Sequence, residues 1–118
     1  MDKTLLSGST ALLILKLLED GDKYGYQMIE ELRRRSDDTF SLKAGTLYPL
    51  LHSLEQKGCI TAWEETGDSA RPRRYYHLTE EGREALAEKE TEWRTYAGAM
   101  LRVLEGGACL AREIPDLS

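Results

Sequence analysis

Lys43-Ala-Gly-Thr-Leu-Tyr-Pro-Leu-Leu-His-Ser-Leu-Glu-Gln-Lys57, closed by Gly58, reads as a helix with two different sides. Leu47, Leu50, Leu51 and Leu54 recur at i, i+3, i+4 and i+7 and form one apolar stripe. Thr46, Tyr48, Pro49, His52, Ser53 and Gln56 lie off it. Between Lys43 and Glu55 there is no charge, unusual for a face that only meets water and suited to one that lies close against something. Gly58 supplies the left-handed residue that ends such a helix.

The start of this helix breaks two local rules. Lys43 stands where Asn, Ser or Asp would accept the free backbone N–H groups, and a cation there opposes the macrodipole. The cost, about 1 kcal/mol, is offset if the acceptor is a phosphate, which suits both the free N–H groups and the ammonium. Pro49 removes a backbone donor within the first two turns, although the residue it crowds, Gly45, has no side chain. Such departures are expected at functional sites. The alternative is an ordinary core helix capped by Ser41.

A chain of 118 residues fits one compact core. Cys59 and Cys109 form neither a C-x-x-C pair nor a zinc spacing, the first residues carry no signal sequence, and the longest apolar run is Ala11 to Leu15. These features favour a cytoplasmic protein with no metal, no cofactor and no membrane span, and Cys59 is expected to pack as a small hydrophobe. The net charge of −5 argues against a polyanion partner until its distribution is considered. Residues 1–79 hold 11 Lys/Arg against 12 Asp/Glu, whereas residues 80–118 hold 5 against 9, so the acid lies towards the C-terminal end. Arg33, Arg34, Arg35, Lys43, Arg71, Arg73 and Arg74 are available for a phosphate-binding face of modest, salt-dependent affinity.

Taken in order, Ser9 or Thr10 is expected to cap a helix reaching about Asp20. Leu12, Leu13, Ile14, Leu15, Leu17 and Leu18 encircle it, so it is either a central core helix or meets the core on one side and a second chain on the other. Asp22 is expected to cap a helix from Lys23 to Arg35, with Tyr24, Met28, Ile29 and Leu32 on one side and a cationic end that suits the dipole. Ser36 to Thr39 reads as a loop and Phe40 as a core anchor. Three helices in about 50 residues, the last with a polar face, form the helix-turn-helix arrangement whose final helix enters a major groove.

After Gly58 the period changes. Ile60, Ala62 and Trp63 start a strand, Thr66 to Ala70 supplies turn residues, and Arg73-Arg-Tyr-Tyr-His-Leu78 is an aromatic strand. Arg71, Arg73 and Arg74 around Pro72 suit a phosphate backbone or minor groove, with pairing to Glu64 or Glu65 as the alternative for one of them. Thr79 caps a long helix with Glu80 and Glu81 in its first turn. Leu86, Trp93 and Met100 recur every seven residues, and Tyr96, Ala97, Val103 and Leu104 widen that apolar face. So long a helix wants a partner, and the encircled first helix of a second subunit is its complement. Residues 107–118 read as a flexible tail.

The fold class expected is mainly α with a small β-hairpin: a helix-turn-helix followed by the hairpin over residues 1–79 and a C-terminal dimerisation helix over 80–106. Dimer contacts fall to Leu12, Leu13, Leu86, Trp93, Ala97, Met100 and Leu104. His52 and His77 neighbour no patterned nucleophile, so nothing indicates an enzyme.

Several runs now match a family: Leu17-Leu-Glu-Asp-Gly-Asp-Lys-Tyr-Gly-Tyr26, Gly45-Thr-Leu-Tyr-Pro49, Leu54-Glu-Gln-Lys-Gly58, Arg73-Arg-Tyr-Tyr-His-Leu-Thr-Glu-Glu-Gly82 and the Trp93 helix. Together, over about residues 9 to 104, they resemble the PadR family of bacterial transcription regulators, in its branch with a single C-terminal helix. The resemblance implies a winged helix-turn-helix DNA-binding domain over residues 1–79 and a homodimer, built by the C-terminal helix, that represses transcription from a roughly palindromic operator in double-stranded DNA. It puts Thr46, Tyr48, Pro49 and His52 on the groove side, Lys43 and Tyr24 near phosphates, and Arg71, Arg73 and Arg74 on the wing. Family members often have Ser-Pro or Asn-Glu where this chain has Lys43-Ala44, which implies a changed operator. The resemblance also puts a planar aromatic effector against Trp93, with Tyr96 and Ala97 beside it, against the simpler reading that Trp93 packs the dimer seam. A winged-helix scaffold that docks a protein and binds no DNA is the alternative function.

Overall fold

A computed structural model describes residues 3–66 and 72–106, the first six of them by backbone alone. The expected tail, most of the hairpin turn and Arg71 lie outside the described residues. The chain divides into two compact units, residues 1–86 and 87–118.

Helix α1 spans Lys3–Glu19. It starts well before the expected cap at Ser9 or Thr10, because Gly8 and the serines cost helix propensity without blocking the backbone as proline would. Ile14, Leu15, Leu17 and Leu18 are all buried within the single chain, so this half of α1 is a central core helix and needs no second subunit. Leu12 and Leu13 are half-buried and pack at the core's edge. The Lys23 ammonium closes the C-terminus, donating to the carbonyls of Leu17 at 2.7 Å and Gly21 at 3.3 Å.

The expected second helix begins two residues late. Lys23–Tyr24 is a short strand, β1, and α2 runs Gly25–Arg35. Asp22 does not cap it; its Oδ1 lies 2.7 Å from His77 Nδ1, and the Tyr24 N–H donates to Gln27 Oε1 at 3.0 Å. A two-residue strand shows no periodicity and exists only because a neighbouring strand offers it a ladder. Met28 and Leu32 bury one side of α2, and Leu42, beyond Phe40, joins the core with them.

Helix α3 spans Ala44–Gln56, with Lys43 as the residue before its first turn and Pro49 inside it. Leu47, Leu51 and Leu54 are buried and Leu50 packs half-buried beside them. Gly58 has φ +81°, the conformation that turns the chain into β2. Strands β2, Ile60–Glu65, and β3, Arg73–Leu78, pair antiparallel from Ile60↔Leu78 to Glu65↔Arg73. Strand β1 adds to the other edge of β3, so the expected hairpin is part of a three-stranded sheet of order β1-β3-β2. Ile60, Tyr76 and Leu78 are buried on one face of this sheet.

Helix α4 spans Glu80–Leu104. The Thr79 hydroxyl accepts from the Gly82 N–H at 2.9 Å and donates to the carbonyls of Gly58 and Cys59, tying the start of α4 to the end of α3. Gly82 is obligatory here, since a Cβ would run into the Cys59 carbonyl oxygen and lie 2.6 Å from a Leu78 methyl. Leu86 is the last α4 residue in the core, and the division between the two units follows it.

Candidate nucleic-acid interface

The N-terminal half of α3 is bare. Lys43, Ala44, Gly45, Thr46, Pro49 and His52 are exposed, and Tyr48 is 44% exposed. Lys43 makes no side-chain cap and no acidic residue stands in the first turn, so the N–H groups of Ala44 and Gly45 are left uncapped, while those of Thr46 and Leu47 donate to the Lys43 carbonyl at 3.0 and 2.9 Å. The Ser41 alternative for the cap does not hold, because the helix starts after Lys43.

Tyr48 is aimed by packing. Its ring lies over Gly25, the first residue of α2, so closely that a Cβ at that position would overlap the hydroxyl and sit 2.7 Å from Cζ. The Tyr-Gly-Tyr run at 24–26 and the tyrosine of α3 are therefore one feature, since the glycine between the two tyrosines leaves room for the ring.

The outer face of the sheet carries an aromatic row and a cation. Tyr24, Tyr75 and Trp63 stand in register across the three strands. Tyr24 meets Tyr75 edge-on at 5.4 Å, and Tyr75 stacks with Trp63 at 5.6 Å. The Arg73 guanidinium lies 4.7 Å over the Tyr24 ring. Arg74 points to the other face, where it reaches both carboxylate oxygens of Glu55 on α3 at 3.3 and 3.4 Å. Burial lowers the basicity of Arg74, and the hydrogen bond and charge of Glu55 more than restore it, so its pKa is raised. Burial pushes the Tyr76 phenol up, and the phenol stays neutral beneath Arg74.

Among the expected site residues, Arg73 meets Tyr24 on the sheet, Tyr48 packs against Gly25 next to Tyr24, and Lys43, Thr46, Pro49 and His52 lie exposed along α3. Glu55, Gly25, Tyr75 and Trp63 were not expected; only the sheet register and the α2–α3 packing bring them in. Arg33, Arg34 and Arg35 do not contribute to this face as free cations. They pair with Glu30 and Asp38, with Glu31, and with Glu31 and Asp20 respectively. These partners raise the pKa of Arg33 and Arg35, and Arg35 and Arg34 hold the Glu31 carboxyl below the usual carboxylate range.

In the second unit, α4 carries an exposed apolar row: Trp93, Tyr96, Met100, Leu101, Val103 and Leu104, with Ala97 half-buried. Among the described residues no group of three or more His, Cys, Asp or Glu is placed to hold a metal, and no helix is long and apolar enough to cross a membrane.

Residues 14–88 match the model of the transcriptional regulator PadR-like family. The chain is 38% identical over 75 residues to the transcriptional regulator Rv3488 of Mycobacterium tuberculosis, covering 64% of this chain and 66% of that one. It is 29% identical over 85 residues to the transcriptional regulator YqjI of Escherichia coli, but the match spans only 39% of that longer protein. Among solved structures, a transcriptional regulator from Clostridium thermocellum superposes with a TM-score of 0.79 at 30% identity, over 85% of this chain and 97% of that one. A PadR family transcription regulator from Clostridium difficile gives 0.71 at 36% identity, over 81% and 98%. The three-stranded sheet, the uncapped α3 and the long α4 thus sit in a chain whose greater part is that of known regulators, and the protein belongs to the PadR-like family of transcriptional regulators.

Proposed function

We propose that the protein is a homodimeric repressor that binds a roughly palindromic operator, with one α3 of each subunit in a major groove. The carrying observation is the bare, acid-free N-terminal half of α3 behind the uncapped Lys43. Thr46, Tyr48, Pro49 and His52 meet base edges in this reading, and Lys43, Tyr24, Arg73 and Arg71 meet phosphates. The exposed row of α4 supports the dimer, with Trp93, Ala97, Met100 and Leu104 along the seam and Leu12 and Leu13 of the other subunit against it; Leu86, expected there from its heptad spacing, is buried in its own chain's core instead and leaves the seam. Two recognition helices then lie ~34 Å apart, or a multiple of it. Trp93 and Tyr96, both exposed, with Ala97 half-buried beside them, suit a planar aromatic effector whose binding releases the DNA.

The test is a titration of the protein against the DNA upstream of its own gene at several salt concentrations. Binding should weaken steeply as salt rises. Affinity that ignores salt contradicts phosphate neutralisation, and a flat titration with every promoter fragment favours the protein-docking scaffold that the net charge of −5 also suits.

A further inference from the structure

The paired arginines at the start of β3 do different work. Successive strand residues face opposite sides of a sheet. Arg73 accordingly lies on the outer face against Tyr24, while Arg74 lies on the inner face between β3 and α3. There it has two partners, the Tyr76 ring at 6.0 Å and the carboxylate of Glu55. Glu64 stands directly opposite Arg74 in the ladder, yet the guanidinium turns away to α3. Glu55 is the single carboxylate of α3. A negative charge on the helix that enters a groove repels the phosphates on both walls, and like charges brought together are a strong veto on association. The pair is about half exposed, so it adds little to folding by itself. Its consequence is for the field that an approaching polyanion meets.

Resting on the DNA-binding reading above, we propose that Arg74 is a positioning residue that masks Glu55 and holds it against the wing strand, and does not itself contact a phosphate. Of the two arginines, only Arg73 belongs to the contact surface.

The full-length protein tests this with Arg74→Gln and the double variant Glu55→Gln/Arg74→Gln, each titrated against the duplex upstream of its own gene across a salt series. Arg74→Gln alone unmasks the carboxylate and should weaken binding roughly five- to tenfold at about 0.1 M salt. The double variant has the same net charge at the pair as the wild type, so its affinity should return to within about twofold, with the wild-type salt slope. If instead the double variant stays weak and its slope is lower by about one, Arg74 is a phosphate contact and the proposal falls. Thermal melts accompany the titrations, and equal melting of single and double variants excludes misfolding as the cause of any rescue. A wild type that binds no duplex overturns the DNA-binding reading and this proposal with it; a wild type that binds while the double variant fails overturns the proposal alone.

Discussion

At the residue scale, the two close-packed glycines separate folding from function. At Gly82 the obstacle to a side chain is backbone, the Cys59 carbonyl, which cannot move without unseating the α4 cap. Gly82→Ala should therefore cost about 2–3 kcal/mol in denaturant unfolding. At Gly25 the obstacle is the end of the Tyr48 ring, which is half-exposed and free to swing outward. Gly25→Ala should cost about 1 kcal/mol or less, yet weaken DNA binding roughly tenfold by displacing Tyr48 from the groove-facing surface. Equal losses in both measurements would show that Tyr48 has no part in the interface. Contact type is separable in the same way. Arg73→Ala should weaken binding about evenly across sequences, whereas His52→Ala should relax preference at one base position. Uniform loss in both would mean that α3 does not read bases.

At the element scale, α3 under the proposed function trades stability for an anion site at its start. Lys43→Ser would supply the missing cap and should raise the unfolding free energy by about 1 kcal/mol. It should also lower DNA affinity and reduce the salt slope by about one, since it removes a cation and ties up an N–H group. A variant that gains stability without losing affinity would show the bare helix start to be incidental. Helix α2 behaves oppositely, because its cationic end is consumed internally. Arg35 first, then Arg34, hold the Glu31 carboxyl below the usual carboxylate range. A depressed carboxyl stabilises the fold above its unfolded pKa, and that contribution is lost as pH falls through the lower folded value. Glu31→Gln should thus be less stable than the wild type at neutral pH and converge with it in acid, once the lowered carboxyl has taken up its proton. Denaturant midpoints at both pH values check this; a constant gap would show that the shift is not linked to folding.

At the scale of the whole molecule, each unit leaves a different surface. The first unit closes its own core: Ile14, Leu15, Leu17 and Leu18 are covered without a partner. In the second, Tyr96 is 60% exposed, Val103 79% and Leu104 71%, more apolar surface than one helix leaves open without a use for it. Under the proposed dimer, Met100→Glu should leave the melting of the first unit nearly unchanged. It should raise the dimer dissociation constant roughly a hundredfold, read by sedimentation, and weaken operator binding in parallel. A wild type that sediments as one chain, or a variant that stays paired, would remove the seam.

Much of this architecture was legible in the chain as written. The leucine spacing of α3, the uncapped Lys43, Gly58 at φ +81°, Thr79 before α4 and the heptad run from Leu86 are local patterns, and local sterics and hydrogen bonding decide them. What the chain did not disclose depends on residues distant in sequence. Strand β1 exists because β3 offers it a ladder, Asp22 meets His77 across 55 positions, and Arg74 chooses Glu55 over the Glu64 opposite it. Tyr48 is aimed because Gly25 leaves room for its ring. Periodicity reports which side of an element is apolar; only packing in three dimensions decides which element fills that side and which charge is left for a partner.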